Sequence, residues 1–209
     1  MTYKLELMDN MMKKQTLKYK FLSLFVALIV VFSILPTTPV QAAASTISIE
    51  TFAASLKKSD ASQLVGVFVK NVMAVKVVQQ SSAAYVSSTA GTVTQFGLAS
   101  QGGSIGLLAH NYLSGANFSK LGSGTEIILV YGDGSIKKYQ VNSVKKYQAL
   151  SPTDPYSDFV NLDNPDATLS SSDVFNETYG SGALVLQTCI SKNGNSSWGR
   201  LFVIASSAG

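Results

Sequence analysis

Charged and reactive side chains are both scarce in this sequence. Only 13% of its 209 residues are charged against 46% hydrophobic, a balance that excludes disorder and suits a compact β-rich domain. Its one cysteine, Cys189, has no partner within the chain. The thiol is therefore an intermolecular bridge, an inert packed group or a reactive one. No internal repeat or heptad pattern occurs. No second apolar run matches that of residues 21–35, so the part after it is expected to be soluble once released. The formal charge of +4 belongs largely to the start of the chain. Lys4, Lys13, Lys14, Lys18 and Lys20 lie there with Glu6 and Asp9, and setting them aside reduces 16 basic and 12 acidic residues to 11 and 10. A nearly neutral remainder has no electrostatic footprint for nucleic acid, which is excluded as a partner.

What is present begins with an export signal. Lysines at 13, 14, 18 and 20 precede the apolar run Phe21 to Leu35, which Pro36 and Pro39 end. The stretch Leu35-Pro36-Thr37-Thr38-Pro39 reads as helix termination. Small residues follow, so residues 1–42 are expected to form a signal peptide cleaved near Ala42 or Ala44. The run falls short of the roughly 20 residues that span a bilayer. An uncleaved anchor is the lesser reading, and a membrane enters only in that case. The expected location is secreted or extracytoplasmic, with membrane association only through the N-terminus.

Residues 43–90 read as a linker followed by the first strands. Ile49 to Lys58 suits a brief amphipathic helix, and Leu64 to Val78, rich in Val and partly alternating, suits one strand or a pair. Residues 91–209 form the expected core. Thr92 to Leu98 and Ser104 to Leu108 are strand-like around the turn signal Gly102-Gly103. Glu126 to Tyr131 and Ile136 to Val141 flank Asp133-Gly134 as a hairpin, with Val144 to Leu150 continuing the sheet. Ser151 to Asp166 fits neither period and reads as a long functional loop. Ser170, Ser171 and Ser172 are each placed to cap a short helix through Asp173 to Tyr179. Two last strands, Ala183 to Gln187 and Leu201 to Ala205, enclose a polar loop with Gly194, Asn195 and Gly199. Short strands with little helix predict a mainly β fold, an antiparallel or mixed barrel or sandwich.

Within that frame the singletons Cys189, His110 and Arg200 each fall at an expected strand end. A lone arginine among lysines marks a place where a planar, permanently charged fork is wanted. A cysteine nucleophile needs a proton acceptor or imidazolium beside it and donors for the oxyanion of acyl attack; His110 suits the first task and Arg200 the second. Taken one at a time, each has a bland account: free cysteines and lone histidines usually pack, and arginines usually meet solvent. Trp198 and the tyrosines read as packing or rim residues. Asp154, Asp158, Asp163 and Asp166 offer oxygens of the kind calcium takes. They lack a compact ligand spacing, so solvated loop acids are the favoured account and calcium the weak one.

The segment Leu184 to Ala205 resembles the sortase family. Leu186-Gln187-Thr188-Cys189 matches its aliphatic-x-Thr-Cys motif, and Trp198-Gly199-Arg200-Leu201-Phe202-Val203 matches the strand that opens with its arginine. Leu107-Leu108-Ala109-His110-Asn111, followed by Phe118, Leu121 and Gly122, matches the context of its histidine, and the likeness extends over about Gly91 to Ala205. The resemblance implies a closed eight-stranded β-barrel with short helices, 91–209 being the catalytic core. It further implies a cysteine transpeptidase in which Cys189 forms a thioester with a sorting peptide and His110 exchanges protons with the leaving and incoming amines. Arg200 would orient substrate and stabilise the oxyanion, with Thr188 as support or further donor. No metal or organic cofactor is implied; the partners are a peptide or protein bearing a sorting motif and an amine acceptor. Ser151, Asp154 and Tyr156 are the candidate substrate-loop residues. The leader looks cleavable where familiar housekeeping members keep an anchor, which leaves open a thiol peptidase of this fold that passes its acyl group to water. A non-catalytic secreted β-barrel binding module is the alternative from another class.

Overall fold

Strand-forming residues dominate the computed structural model, which describes residues 47–208 of the chain; the signal-peptide reading and its cleavage sites lie outside the described residues. Ten strands follow in order: β1 (Leu64–Val69), β2 (Met73–Gln79), β3 (Thr92–Phe96), β4 (Ile105–Leu108), β5 (Glu126–Tyr131), β6 (Ile136–Ala149), β7 (Phe159–Asn161), β8 (Asn164–Leu169), β9 (Leu184–Lys192) and β10 (Asn195–Ser207). Helix α1 (Ile49–Ala54) precedes them and α2 (Ser171–Tyr179) lies between β8 and β9. Eight strands run β10-β9-β4-β3-β2-β1-β5-β6, and the additional pairing of β10 with β6 closes the ring. The pairs β2–β3 and β4–β9 are parallel and the others antiparallel. The expected mainly β, closed eight-stranded barrel is what forms, with the β7–β8 hairpin attached outside it to β6.

Alternation along each strand sets two environments. Side chains such as Val67, Leu107, Ile127, Leu129, Leu186 and Val203 fill the barrel. On the outer face of β6, β9 and β10, helix α2 covers a second core: Val174 and Tyr179 pack with Tyr147, Val185 and Phe202. The helix starts where a serine was expected to cap it. Ser170 accepts from the Asp173 backbone N–H while the Asp173 carboxylate accepts from Ser170, a reciprocal capping box. These bonds hold the Asp173 carboxyl below its ordinary value. Helix α1 and the turn after it cover β1 and β5 through Phe52 and Leu56, so β1 is buried on both faces and reads as a continuous apolar run. Gly66 is needed there, because a Cβ would run into Leu56 and Phe52.

Three segments differ from the sequence-based expectation. The segment from Ser151 was expected to be irregular throughout, yet Phe159–Asn161 and Asn164–Leu169 pair as a hairpin. Pro165 is tolerated because β8 pairs only with β7 and its outer edge asks for no ladder N–H. At the β5–β6 turn only Gly134 takes positive φ (90°), while Asp133 works through its side chain, which accepts from Ser135 N–H. The polar loop expected after Gln187 is instead two long strands joined at Asn193 (φ 51°) and Gly194 (φ 78°), the paired positive values of a type I′ turn.

Candidate active site

The outer face of β9 carries Val185, Gln187 and Cys189 in alternation with inward Leu184, Leu186 and Thr188. Cys189 is a free, half-buried thiol. In the antiparallel ladder with β10 its partner is Arg200, so the two side chains stand next to each other on one face. On the other flank β4 runs parallel to β9 with Leu108 opposite Gln187, and the Ala109 N–H donates to the Gln187 carbonyl at 3.2 Å. The Ala109 N–H makes the last bond of that ladder, and His110 follows directly, two residues beyond the Leu108–Gln187 pair, where the chain turns away from β9. Cys189 and Arg200 are thus paired across β9 and β10, and His110 lies just past the end of β4, on the opposite flank of β9. Cys189 and Arg200 are inside their strands, correcting the expected strand ends, because β9 and β10 continue to the Asn193-Gly194 turn. His110 does lie just beyond its strand.

Backbone bonds pin the segment around His110. Its carbonyl accepts from the N–H groups of Leu113 (3.0 Å) and Gly115 (3.1 Å). The Thr188 hydroxyl, buried, donates to the Ala109 carbonyl at 2.8 Å. A hydroxyl has one proton, so in this geometry Thr188 ties β9 to the end of β4 and has no donor left for an oxyanion. Asn111 spends its amide on Ser191 Oγ (2.7 Å) and the Ser196 carbonyl (2.8 Å), bracing the same segment against the β9–β10 hairpin. Gly115 allows this closure: a Cβ there would meet Thr188 Oγ1 and the carbonyls of His110 and Ala109.

The guanidinium of Arg200 is held differently. Nη1 donates to the carbonyls of Ser197 (2.8 Å) and Gly199 (3.0 Å), and Nη2 to that of Pro152 (3.1 Å). A register shift between Asn195 and Gly199 bends β10 just before the arginine and turns those carbonyls toward it. Three of a guanidinium's five N–H groups are engaged, leaving two. Across β6, Tyr147 is the other ladder partner of Arg200. Its hydroxyl donates to Glu177 on α2, whose other oxygen pairs with Lys145. Burial and then the Glu177 bond push the Tyr147 phenol up, while Lys145 and then Tyr147 hold the Glu177 carboxyl down against its partial burial. Gly199 sits where a Cβ would collide with the Tyr147 carbonyl.

Of two cavities, one borders Cys189 and the other is lined by none of the three singletons. One of about 370 Å³ is lined by Cys189, Thr188, Asn111, Lys146, Leu162 and Leu201 among others. The other, about 630 Å³, lies between Phe96, Leu98, Phe175 and the loop residues Pro155 and Tyr156. The three candidate loop residues separate here. Ser151 and Asp154 build the turn, the Asp154 carboxylate accepting from the Tyr156 N–H at 2.8 Å and the Ser151 N–H donating to Ser157 Oγ at 2.8 Å. Tyr156, 80% exposed, lines the groove. Asp154, Asp158, Asp163 and Asp166 are not gathered: among the described residues no three His, Cys, Asp or Glu side chains come close enough to hold a metal ion. Lys146, Gly115 and Gln187 belong to the surroundings of Cys189 without having been singled out. For Lys146 and Gln187 strand alternation, once the bounds of β6 and β9 were known, was the available signal. Gln187 accepts from the hydroxyl of buried Tyr179 at 2.7 Å.

A Sortase domain model matches residues 69–208. Among solved structures, the chain is similar to a Clostridium perfringens sortase D5 transpeptidase, at 17% identity and a TM-score of 0.47 over 78% of this chain and 91% of that one. It is also similar to Listeria monocytogenes sortase A (16%, TM-score 0.43, 70% and 88%). A third is sortase E1 from Streptomyces coelicolor, solved with a tripeptide in the active site (16%, TM-score 0.45, 71% and 90%). No curated protein matches the chain in sequence.

Proposed function

The chain belongs to the sortase family, and from that premise we propose that it is a cysteine transpeptidase whose acyl-enzyme forms on Cys189. The observation that carries this reading is the cross-strand pairing of Cys189 with Arg200, with His110 just past the end of β4 on the other flank of β9. In the proposed reaction the Cys189 thiolate attacks a backbone carbonyl of a sorting peptide. A C–S bond forms, the C–N bond breaks, and the leaving amine takes its proton from the His110 imidazolium. An incoming amine then attacks the thioester, gives its proton to His110 and releases the thiolate. The two N–H groups of Arg200 left unengaged would serve as oxyanion donors, a role whose loss typically costs about 10²- to 10³-fold. Thr188 serves as support. Tyr156 and the groove it lines suit the peptide on the acyl side. The lysine-headed apolar run at residues 21–35 supports an extracytoplasmic setting. Among the described residues no helix is long and apolar enough to cross a membrane.

The test is intact-mass analysis of the whole chain mixed with a pool of peptides, with and without an added primary amine. A peptide adduct on Cys189 that the amine discharges into a new amide is the expected result. Discharge to water alone would favour the peptidase, and a thiol that neither acylates nor alkylates until the chain unfolds would end the catalytic reading.

A further inference from the structure

The hydrogen bonds around His110 fix its backbone, and among the described residues none reaches its ring. The carbonyls of Ala109 and His110 and the side chain of Asn111 are all bonded, and none of those bonds touches the imidazole. Among the described residues, the aromatic ring that meets the imidazole is Tyr112, two positions on. Its ring lies over the imidazole with centroids 5.1 Å apart and planes 18° from parallel. Tyr112 is 64% exposed, so burial does not explain its place. We infer that Tyr112 is the positioning residue for His110: it covers one face of the imidazole, leaves the edge free to face Cys189, and steadies the ring through its protonation cycle. An offset-stacked aromatic pair is a favoured arrangement, and the negative face of a tyrosine ring favours a cation lying over it. Both effects would act on the protonated ring through which the proposed proton exchange passes. Without the stack the imidazole would sample its rotamers in solvent and meet the sulfur for only part of the time.

The inference rests on the transpeptidase reading of His110, and the experiment keeps the two apart. Its readout is the alkylation rate of Cys189 by iodoacetamide at neutral pH in the whole folded chain, which needs no knowledge of the substrate. Five forms are compared: wild type, Tyr112→Phe, Tyr112→Leu, His110→Ala and the double variant His110→Ala/Tyr112→Leu. With one histidine in the chain, its ring C–H proton resonances in the same samples report the stack without ambiguity. Tyr112→Leu is expected to slow alkylation roughly 2- to 10-fold, the scale of one aromatic pair, and to move the imidazole resonances as the ring current is lost. Tyr112→Phe is expected to keep the rate within about twofold, the ring being what matters. In the His110→Ala background Tyr112→Leu should change nothing, because the tyrosine acts only through the histidine. An equal slowing in that background, or unchanged rate and resonances in the single variant, would overturn the inference. A His110→Ala rate equal to wild type would instead remove His110 from the chemistry and take the inference with it. The exposed position predicts an unchanged thermal midpoint in Tyr112→Leu, so a loss of folding would not masquerade as the effect.

Discussion

Cys189 is flanked by two strands that hold their functional side chains by opposite means. On β10 the guanidinium of Arg200 is fixed atom by atom, by two carbonyls of its own strand and one from the loop at Pro152. Beyond β4 the backbone around His110 is fixed by hydrogen bonds, while among the described residues its ring is held only by the stack with Tyr112, which leaves it room to slide. The contrast suits the proposed tasks: a donor aimed at a developing oxyanion gains from being immobile before the reaction, whereas a base that serves first one amine and then another must pivot slightly between them.

Removing the thiol common to both sides has the largest expected effect. Cys189→Ala should abolish the covalent adduct in intact-mass analysis while leaving the domain folded. Next comes Arg200→Lys, which keeps the charge but loses the fork that spans Ser197, Gly199 and Pro152. A fall in turnover of about 10²-fold or more is expected, with a stability loss of no more than about 1.5–3 kcal/mol that leaves the domain folded; wild-type kinetics would show that rigidity on the β10 side is unnecessary. On the histidine side the corresponding break is Thr188→Val, which leaves the buried Ala109 carbonyl unpaired at a cost of about 1–3 kcal/mol. Denaturant unfolding should show that loss, and Thr188→Ser should restore most of it.

The smallest effect sharpens the comparison from the β10 side. Glu177 has its carboxyl held below the ordinary 4.5 by Lys145 and then Tyr147. A lowered value means that its stabilisation is complete above pH 4.5 and is lost as the pH falls through the folded value. In Glu177→Gln that acid-side component should vanish from the pH dependence of unfolding. The group is largely solvated, so at neutral pH the cost should be under about 1 kcal/mol.

Much of this was legible beforehand, and for identifiable reasons. Strands such as Glu126 to Tyr131 carry their own period and turn, and the motifs around His110, Cys189 and Arg200 led to the barrel. The length of β9 and β10 was not, because Ser191 to Ser197 is polar enough to read as loop; the Asn193-Gly194 pair inside it was the overlooked turn signal. The β7–β8 hairpin was hidden by Pro165, which only an edge strand accepts. The spent proton of Thr188 and the ring over His110 were beyond reach in a different sense, since local pattern cannot say which of several acceptors a buried hydroxyl meets or how two side chains two residues apart will lie.

Strand β10 has a consequence for how the molecule comes into being. It is the last strand in chain order, it bonds both β9 and β6, and it carries Arg200. The Thr188–Ala109 contact likewise joins residues 79 apart. Such distant pairings make for slow folding, since the loop entropy must be overcome before the contacts reward it. Until that last seam is sewn, the thiol has no arginine beside it and two sheet edges stand open. If the proposed roles of Cys189 and Arg200 hold, competence for chemistry and completion of the ring are a single event in the life of the chain.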